Sequence, residues 1–358
     1  MFSKKTIFVI GAGASKEVGF PTGGELKTTI RELLRFEQKP NEPLRGDEVL
    51  LNSFKRLVEQ AHPIDKSPRK AALLNLYGVA GHISEALHVA KSIDNFLHEN
   101  RGDPFVETVG KLAIARAILD AEGNEIYSKL YVSPSNVHNR LQLGKLEDTW
   151  YVPFAQLLLS CTLDELPGQL WKVGFIVFNY DRCLEHFLLW AIRIKFKLDE
   201  AEAASLVNEI KIWHPYGRVG RLPWQKGQGV SVQFGSKEAD IIEVAKQIRT
   251  FTESNDGEGS DIDNLRRELD DANVTIFLGC SYHELNMKLI QPAPSERLNA
   301  GKEKRFYGTT FGLSQSSLAA AESRVRNFTT EKASESPYMR FGLDCVGLFN
   351  ELYAELER

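Results

Sequence analysis

The hydrophobic residues of this chain form two patterns, short unbroken apolar runs and longer stretches with helical spacing. The unbroken runs predict strands at Thr6–Ile10, Gly174–Phe178 and Val274–Leu278, with weaker ones at Ile210–Trp213 and Val230–Phe234. Unbroken apolar runs bounded by turns suit strands that are covered on both faces, as in a parallel sheet. The pattern therefore predicts an α/β fold, with a Rossmann-like, mostly parallel sheet and helices on both faces.

The stretch between the first two predicted strands, residues 37–167, has the spacing of helices. One face is predicted to be buried there, because apolar residues recur every three or four positions. These residues are Phe105, Val109, Leu112, Ala113 and Ala117. We expect a single domain, 1–358, in which this large helical insertion follows the first strand–helix unit. Residues 168–336 would complete the Rossmann-like core, and residues 337–358 would end in an amphipathic helix packed on it.

Composition excludes several classes of function. The chain has 358 residues, 42% of them hydrophobic, and a net charge of −4, which gives no general reason to expect binding to nucleic acid or anionic membrane. No apolar stretch approaches the roughly 20 residues of a membrane span, and no signal-peptide pattern is present, so we expect a soluble, cytoplasmic protein. The four cysteines are far apart and form no C-x-x-C pair. We therefore expect neither a metal site nor disulfides.

One segment, residues 253–264, is acidic and contains glycine, with almost no apolar residue to anchor it. Such a composition predicts a mobile surface loop. A lid over a ligand is the alternative interpretation of the same segment.

A glycine-rich turn follows the first predicted strand. Its spacing fits neither the P-loop nor the dinucleotide fingerprint, because Lys16 stands where the fingerprint needs its third glycine. Glycines at these positions permit positive φ angles and a close backbone approach, and the small residues beside them leave room for a ligand. The glycines are Gly11 and Gly13, and the small residues beside them are Ala12, Ala14 and Ser15. Backbone N–H groups at the start of the next helix would face an anion, so the turn predicts a phosphate site; a bare packing turn is the alternative.

The second predicted strand ends in "FNYD", which presents Asn179 and Asp181 at its carboxyl end. Open parallel sheets bind ligands at that edge. Tyr180 lies between the two and is expected to point the other way, into packing. Asn179 and Asp181 are therefore candidate ligand contacts; a role in capping the following helix is the alternative.

Two further turns end predicted strands. In "WHPYG", His214 is a candidate general base, because histidine titrates near neutrality, although a single histidine in a turn can also be purely structural. In "FLGCSY", Gly279 and Ser281 could approach a second phosphate or a ribose. Together these turns predict a polar crevice along one edge of the sheet.

These four stretches, in this order, resemble the sirtuin-like NAD-binding domain of bacterial anti-phage defence systems. "GAGASKEVGFPTG" is similar to the first glycine motif of that family, "FNYD" to its asparagine motif, "WHPYG" to its histidine–glycine motif and "FLGCSY" to its late Gly-x-Ser turn. "SIDNFLHE", at Ser92–Glu99, resembles a helical motif of the defence proteins. The similar stretches span Ile7 to about Tyr307, with few matches between them.

The departures from the family pattern bear on the activity. Protein deacylases of this family carry "GIPDFR" after the first motif, whereas this chain has "GFPTGG", with Thr22 in place of the acidic residue. The four-cysteine zinc module of the deacylases is also absent. The resemblance therefore implies that NAD is itself the substrate, without a metal.

The family resemblance implies an NAD glycohydrolase that acts as the effector of a defence system. By the same resemblance, Asn179 would orient the ribose or the attacking water, His214 would act as general base, and Asp181 would support the ribose or hold Asn179. The remaining ligand contacts would be Gly11, Ala12, Gly13, Ala14, Ser15 and Thr22 around the pyrophosphate, and Gly279 and Ser281 on the adenosine side. The resemblance also implies that the activity is gated, by homo-oligomerisation or by a partner such as a HerA-type ATPase or a short Argonaute.

Two alternatives stay open on the sequence. A non-catalytic module could bind NAD or ADP-ribose and signal by changing assembly, although a pure binder would not need a histidine base. A protein-modifying enzyme is the other alternative, as an ADP-ribosyltransferase rather than a deacylase, because the zinc ligands are missing. Direct binding to nucleic acid or membrane is not expected, since no basic, aromatic-interleaved patch is present.

Overall fold

The computed structural model describes residues 1–38, 44–133, 140–251, 253, 261–291, 304–328 and 337–357. Its centre is a sheet of five parallel strands in the order β3-β2-β1-β4-β5. The strands are β1 (Thr6–Ile10), β2 (Val173–Val177), β3 (Lys211–Trp213), β4 (Val274–Leu278) and β5 (Arg305–Gly308). This order and the all-parallel pairing confirm the predicted Rossmann-like α/β fold.

The central strand β1 pairs with β2 on one side and β4 on the other, and Thr6 lies opposite Val173 and Val274. Successive side chains of a strand point to opposite faces, and all five residues of β1 are buried. Both faces of the sheet are therefore covered, which explains why the strand is an unbroken apolar run.

Helices fill the long connection between β1 and β2. They are α1 (Ala12–Lys16), α2 (Gly23–Leu33), α3 (Glu48–Ala61), α4 (Arg69–Ala86), α5 (Ile93–Glu99), α6 (Pro104–Glu122), α7 (Tyr151–Leu158) and α8 (Leu166–Leu170), with a 3₁₀ turn at Leu143–Leu146. The longest, α6, begins where the Asp103 carboxylate accepts hydrogen bonds from the Phe105 and Val106 N–H groups, with Pro104 at its first position. The predicted helical insertion is present.

The other helices connect and follow the later strands. They are α9 (Cys183–Phe196), α10 (Glu200–Val207), α11 (Ile241–Ala245), α12 (Asp261–Asp271), α13 (Glu284–Ile290), α14 (Gln315–Arg326) and α15 (Cys345–Leu356). The predicted C-terminal amphipathic helix is α15, whose apolar face, including Phe349, packs against α7. Within the described residues, no helix is long and apolar enough to cross a membrane.

Two apolar layers enclose the sheet. Ile7 and Val9 of β1 pack into one layer with helices α2 to α6 and α11 to α14. Phe8 and Ile10 pack into the other, with α7 to α10 and α15. Phe8 stacks on Phe175, with 5.3 Å between ring centroids, so aromatic side chains fill the second layer.

Several details of the predicted elements are wrong. Residues 230–234 form no strand; the Val232 carbonyl instead accepts a hydrogen bond from the buried Arg182 side chain, at 2.6 Å. Strand β5 was not predicted, because its apolar run is only two residues long, Phe306 and Tyr307, after the charged Arg305. Phe105 is 47% exposed, although the rest of its predicted apolar face is buried. Of the predicted acidic loop, residues 254–260 lie outside the described residues, and from Asp261 onward the chain is helical.

Candidate functional site

A cavity of about 500 Å³ opens at the carboxyl ends of the strands, between the turns that follow β1 and β4. The chain reaches β2 and β3 on one side of β1 and β4 and β5 on the other, so this is the topological switch point, where open α/β sheets bind ligands. We call it the switch-point cavity. Of the predicted site residues, those lining it are Gly11, Ala12, Gly13, Thr22, Asn179, Gly279 and Ser281.

The predicted glycines are required by a contact between two turns. A Cβ atom on Gly279 would lie 1.9 Å from the Ala14 nitrogen, and one on Gly11 would lie 2.5 Å from the Gly279 carbonyl oxygen. Gly279 has a φ of +61°, whereas Gly11 has an extended φ of −111° and Gly13 has no positive φ. Gly11 and Gly13 do not use the positive φ that glycine permits, but the predicted close backbone approach is present, because their lack of a side chain lets the β1 and β4 turns cross in contact.

The backbone donors of the first turn are largely occupied. The Gly11 N–H donates to the Leu278 carbonyl at 2.8 Å, the Gly13 N–H to the Gly279 carbonyl at 3.0 Å, and the Ala14 N–H to the Gly11 carbonyl at 3.0 Å. Ala14 and Ser15 are buried behind the cavity wall. These three N–H groups do not form the predicted pyrophosphate cradle, because each already donates to a backbone carbonyl of the β1 or β4 turn.

The N-terminus of α2 offers donors that the first turn lacks. Thr22 caps this helix in a capping box, in which its N–H donates to the Glu25 carboxylate at 2.9 Å. Gly23 and Gly24 line the cavity beyond it, with open space where their side chains would be. Lys16 stands nearby in an ion pair with Glu25, at 2.5 Å. Because Glu25 pairs with Lys16, the helix N-terminus is the main positive feature of this side of the cavity.

Asn179 is held rigidly on the cavity wall. Its Nδ2 donates to the Gly11 carbonyl at 3.2 Å and to the Ser15 hydroxyl at 3.0 Å, while 8% of the residue stays exposed. The Ser15 hydroxyl in turn hydrogen-bonds Asp181, whose carboxylate also accepts from the Cys183 N–H at 3.1 Å. Asp181 is buried and absent from the cavity lining, so its predicted ligand contact is wrong; it caps α9 and supports Asn179. Burial raises the pKa of Asp181.

His214 lies behind Asn179 and outside the cavity lining. Its Nε2 is 2.9 Å from Glu185 Oε1, and its Nδ1 is 3.3 Å from the Asn179 carbonyl oxygen. Arg218 donates to the same Glu185 oxygen at 2.7 Å. Burial alone would raise the pKa of Glu185, but the His214 and Arg218 charges outweigh it and hold that pKa at about 2. In this conformation His214 touches no ligand space, contrary to its predicted position as a base in the site.

Asp94 is a cavity residue to which the sequence pattern assigned no role. It belongs to the first turn of α5, where the Ser92 hydroxyl caps the helix by accepting from the Asn95 N–H at 3.1 Å. The Tyr180 hydroxyl donates to Asp94 Oδ1, so Tyr180 is buried, as expected, but makes a polar contact. The sequence feature that could have identified Asp94 is the "SIDNFLHE" stretch, which resembles a helical motif of the defence proteins but to which no function was assigned.

Polar groups continue along the wall on either side of Asp94. The Tyr216 hydroxyl donates to the Asn286 side chain at 2.7 Å, which bridges the loop after β3 and helix α13. Lys91 and His283 also line the cavity. Burial lowers the pKa of His283, although the Asp94 charge opposes the shift.

Glu17 closes the cavity where two helices begin. Its carboxylate accepts from the Trp150 N–H at 2.7 Å and from the Val346 N–H, in the first turn of α15. Burial raises the pKa of Glu17 to about 7, and the nearby Asp344 charge adds to the shift, while the two N–H donors oppose it. The Cys280 thiol also lines the cavity, and burial raises its pKa to about 12, which leaves it uncharged at neutral pH.

Comparison with models of known protein families finds none that matches this chain. A comparison with curated proteins finds no match either. The chemistry of the switch-point cavity therefore rests on its own residues.

Proposed function

We propose that this protein is an NAD glycohydrolase, which cleaves NAD to nicotinamide and ADP-ribose in the switch-point cavity. The observation that carries the proposal is Asn179, an amide fixed on the wall of a cavity at the switch point of a Rossmann-like sheet. Dinucleotides bind at such switch points. The cavity volume of about 500 Å³ falls within the usual range of small-molecule sites, about 300–1,000 Å³.

The positive groups on one side of the cavity support an anionic dinucleotide, although the carboxyl groups of Glu17, Asp94 and Asp344 also line it. The N-terminus of α2, at Gly23 and Gly24, and the Lys16 and Lys91 side chains border it. A helix N-terminus of this length favours negative charge, and lysine is a common phosphate partner. In the proposal these groups bind the pyrophosphate, and the β1 turn does not, because its N–H groups donate to backbone carbonyls.

Cleavage of the nicotinamide–ribose bond requires little proton transfer by the protein. In NAD the nicotinamide is already a cationic leaving group, so the site needs to position a water and stabilise an oxocarbenium-like ribose. The Asn179 Nδ2 is fully engaged, whereas its Oδ1 accepts no hydrogen bond from the described residues. The Asn179 Oδ1 would accept a hydrogen bond from the attacking water or a ribose hydroxyl and so orient it. His214 would act through Asn179, whose carbonyl it contacts, as a positioning residue.

We extend the proposal to the biological role that the sequence resemblance implies. The protein would act as the effector of a bacterial anti-phage defence system and deplete NAD on activation. Gating would come from homo-oligomerisation or from a partner protein, such as a HerA-type ATPase or a short Argonaute. His214 lies outside the cavity lining, where it contacts Glu185 and the Asn179 carbonyl.

The same placement also favours a second candidate function. A non-catalytic module that binds NAD or ADP-ribose and signals by changing assembly needs no base in its cavity. Tight binding of NAD without release of nicotinamide would support this function over the hydrolase.

The hydrolase is tested by incubating the purified protein with NAD, alone and with each candidate partner, and measuring free nicotinamide by chromatography. Asn179→Ala is expected to slow release on the order of 10²- to 10³-fold, because it removes a fixed polar group from the cavity wall. Asn208→Ala is the matched control, since Asn208 hydrogen-bonds the Ala204 and Trp224 carbonyls away from the cavity. Absence of nicotinamide under every condition, or equal rates in both variants, would contradict the proposal.

A further inference from the structure

The Asp94 carboxylate and Asn179 line the same cavity, although the two are far apart in sequence. They are linked through Tyr180, which follows Asn179 in the chain and donates its hydroxyl to Asp94 Oδ1. Ser92 fixes the backbone of the same helical turn by capping α5. Asp94 is thereby held in one place by both the insertion and the sheet.

The other carboxylates of the cavity are committed to helix N-termini. Glu17 accepts the Trp150 and Val346 N–H groups, and Asp344 accepts the Gly347 N–H at 2.7 Å as the cap of α15. Asp94 shares the cavity lining with the aromatic residues Phe178 and Tyr216, and burial together with the Asp94 charge raises the pKa of Tyr216. A carboxylate and aromatic rings in one cavity both attract a flat cation.

We propose that Asp94 is a catalytic carboxylate, which faces the nicotinamide–ribose end of NAD and stabilises the positive charge as the glycosidic bond breaks. This inference rests on the proposed NAD glycohydrolase function. The bond between ribose C1′ and the nicotinamide nitrogen breaks, and its electron pair moves to that nitrogen and neutralises the ring. A water oxygen bonds to C1′, and the surplus proton of that water leaves to solvent. Asp94 acts in its ionised form and forms no covalent bond.

The ionisation of Asp94 gives the reaction a pH dependence. Burial raises the pKa of Asp94, while hydrogen bonds from Tyr180 and Ser92 lower it. The titratable groups that face it are Tyr180 from the β2–α9 connection, Tyr216 from the loop after β3, and His283 at the start of α13. Because only the carboxylate attracts the cation, nicotinamide release is expected to rise with pH as Asp94 ionises.

The test compares Asp94→Asn, which removes the charge and keeps the shape, with Asp120→Asn. Asp120 is a matched control, since it lies on the surface of α6 in an exposed pair with Arg116. Asp94→Asn is expected to lower kcat at least about 100-fold, in line with the loss of one preorganised electrostatic group. It is also expected to abolish the rise of kcat with pH. Its affinity for ADP-ribose, which lacks the cationic ring, and its Tm should stay close to wild type.

A kcat of Asp94→Asn equal to wild type would overturn the inference. Equal losses of kcat, ADP-ribose affinity and Tm would overturn it as well, because they would assign Asp94 a purely structural role. Binding of NAD and NADH supplies a second measurement that needs no turnover. Wild type is expected to prefer the cationic NAD by about fivefold or more, and Asp94→Asn to lose that preference.

The binding measurement separates the two proposals. If wild type releases no nicotinamide, the glycohydrolase function fails, and a preference for NAD that depends on Asp94 would still place this carboxylate against the cationic ring. If wild type shows neither release nor any difference between NAD and NADH, the inference about Asp94 fails too.

Discussion

At the scale of single residues, Gly279 was correctly predicted to be a position where no side chain fits, but what excludes the side chain is another backbone turn and not a ligand. The glycines of the β1 and β4 turns are identifiable from the sequence as positions where a side chain would interfere. The obstacle at Gly279 is the Ala14 nitrogen, 1.9 Å from where its Cβ would lie, and not a ligand. Glycine spacing reports that something approaches closely, and only the tertiary structure identifies what approaches.

Glu17 is a residue whose charge state should affect stability. Its pKa rises from 4.5 to about 7 on folding, so the folded protein holds the proton more tightly. The resulting stabilisation is fully present below pH 4.5 and is lost as the pH rises to about 7. We expect Glu17→Gln to flatten the dependence of the unfolding free energy on pH across this window, as measured by urea denaturation.

Glu25→Gln controls for the sign of the Glu17 effect. Lys16 lowers the pKa of Glu25, so Glu25 contributes stability above pH 4.5 that is lost as the pH falls. The two variants should therefore change the pH dependence in opposite directions. Parallel changes would contradict the assignment of a raised pKa to Glu17.

At the scale of elements, the strands were more predictable than their connections. β1 and β4 match the predicted runs residue for residue, because strands buried on both faces are mostly apolar, with only the small hydroxyls of Thr6 and Thr275 as exceptions. The false strand at residues 230–234 has the right alternation of residues. It forms an isolated bridge between Ser231 and Arg221, and its Val232 carbonyl accepts a hydrogen bond from the buried Arg182 side chain, a long-range contact that no local pattern encodes.

Arg182 also joins α6 to the start of α9 through Glu122, and both side chains are fully buried. Glu122→Gln would leave the Arg182 charge buried without its partner, so we expect a loss of about 3–5 kcal/mol in the free energy of unfolding. The double variant Glu122→Leu/Arg182→Met should recover much of this loss, since it removes both charges.

Urea denaturation of both variants measures the effect of the buried pair. The exposed pair of Lys129 with Asp148 supplies a matched control. Asp148→Asn should cost less than about 1 kcal/mol, because solvent screens surface ion pairs. If Glu122→Gln lowered the free energy of unfolding by as little as Asp148→Asn does, a buried, structural role for the Arg182–Glu122 pair would be contradicted.

At the scale of the whole molecule, the sequence predicted seven of the residues that line the cavity. Asn179, Gly279 and Ser281 lie at strand ends, and parallel strands carry their carboxyl ends to one edge, so their meeting follows from the fold class. Asp94 comes from the helical insertion, whose position over the sheet depends on packing between distant helices. His214 and Asp181 were placed at the correct edge, but neither backbone pattern nor spacing reveals the rotation of a side chain away from the cavity.

Ligand binding to the whole folded chain can be measured apart from catalysis. ADP-ribose, the proposed product, should raise the Tm in a concentration-dependent way, because it binds the folded state only. At 100 times its Kd the stabilisation should be about 2.7 kcal/mol. Differential scanning fluorimetry with nicotinamide alone as the control checks this, and an unchanged Tm at millimolar ADP-ribose would contradict binding in the cavity.

The central position of β1 has a consequence for synthesis of the chain. Thr6 emerges from the ribosome long before its partners Val173 and Val274, and the helical insertion is translated in between. At translation rates of about 5–20 residues per second, β1 waits on the order of ten seconds for its first neighbouring strand. During that time an apolar strand with unpaired edges is exposed in the nascent chain. Slower translation or a scarcity of chaperones should therefore reduce the yield of this protein through its earliest strand.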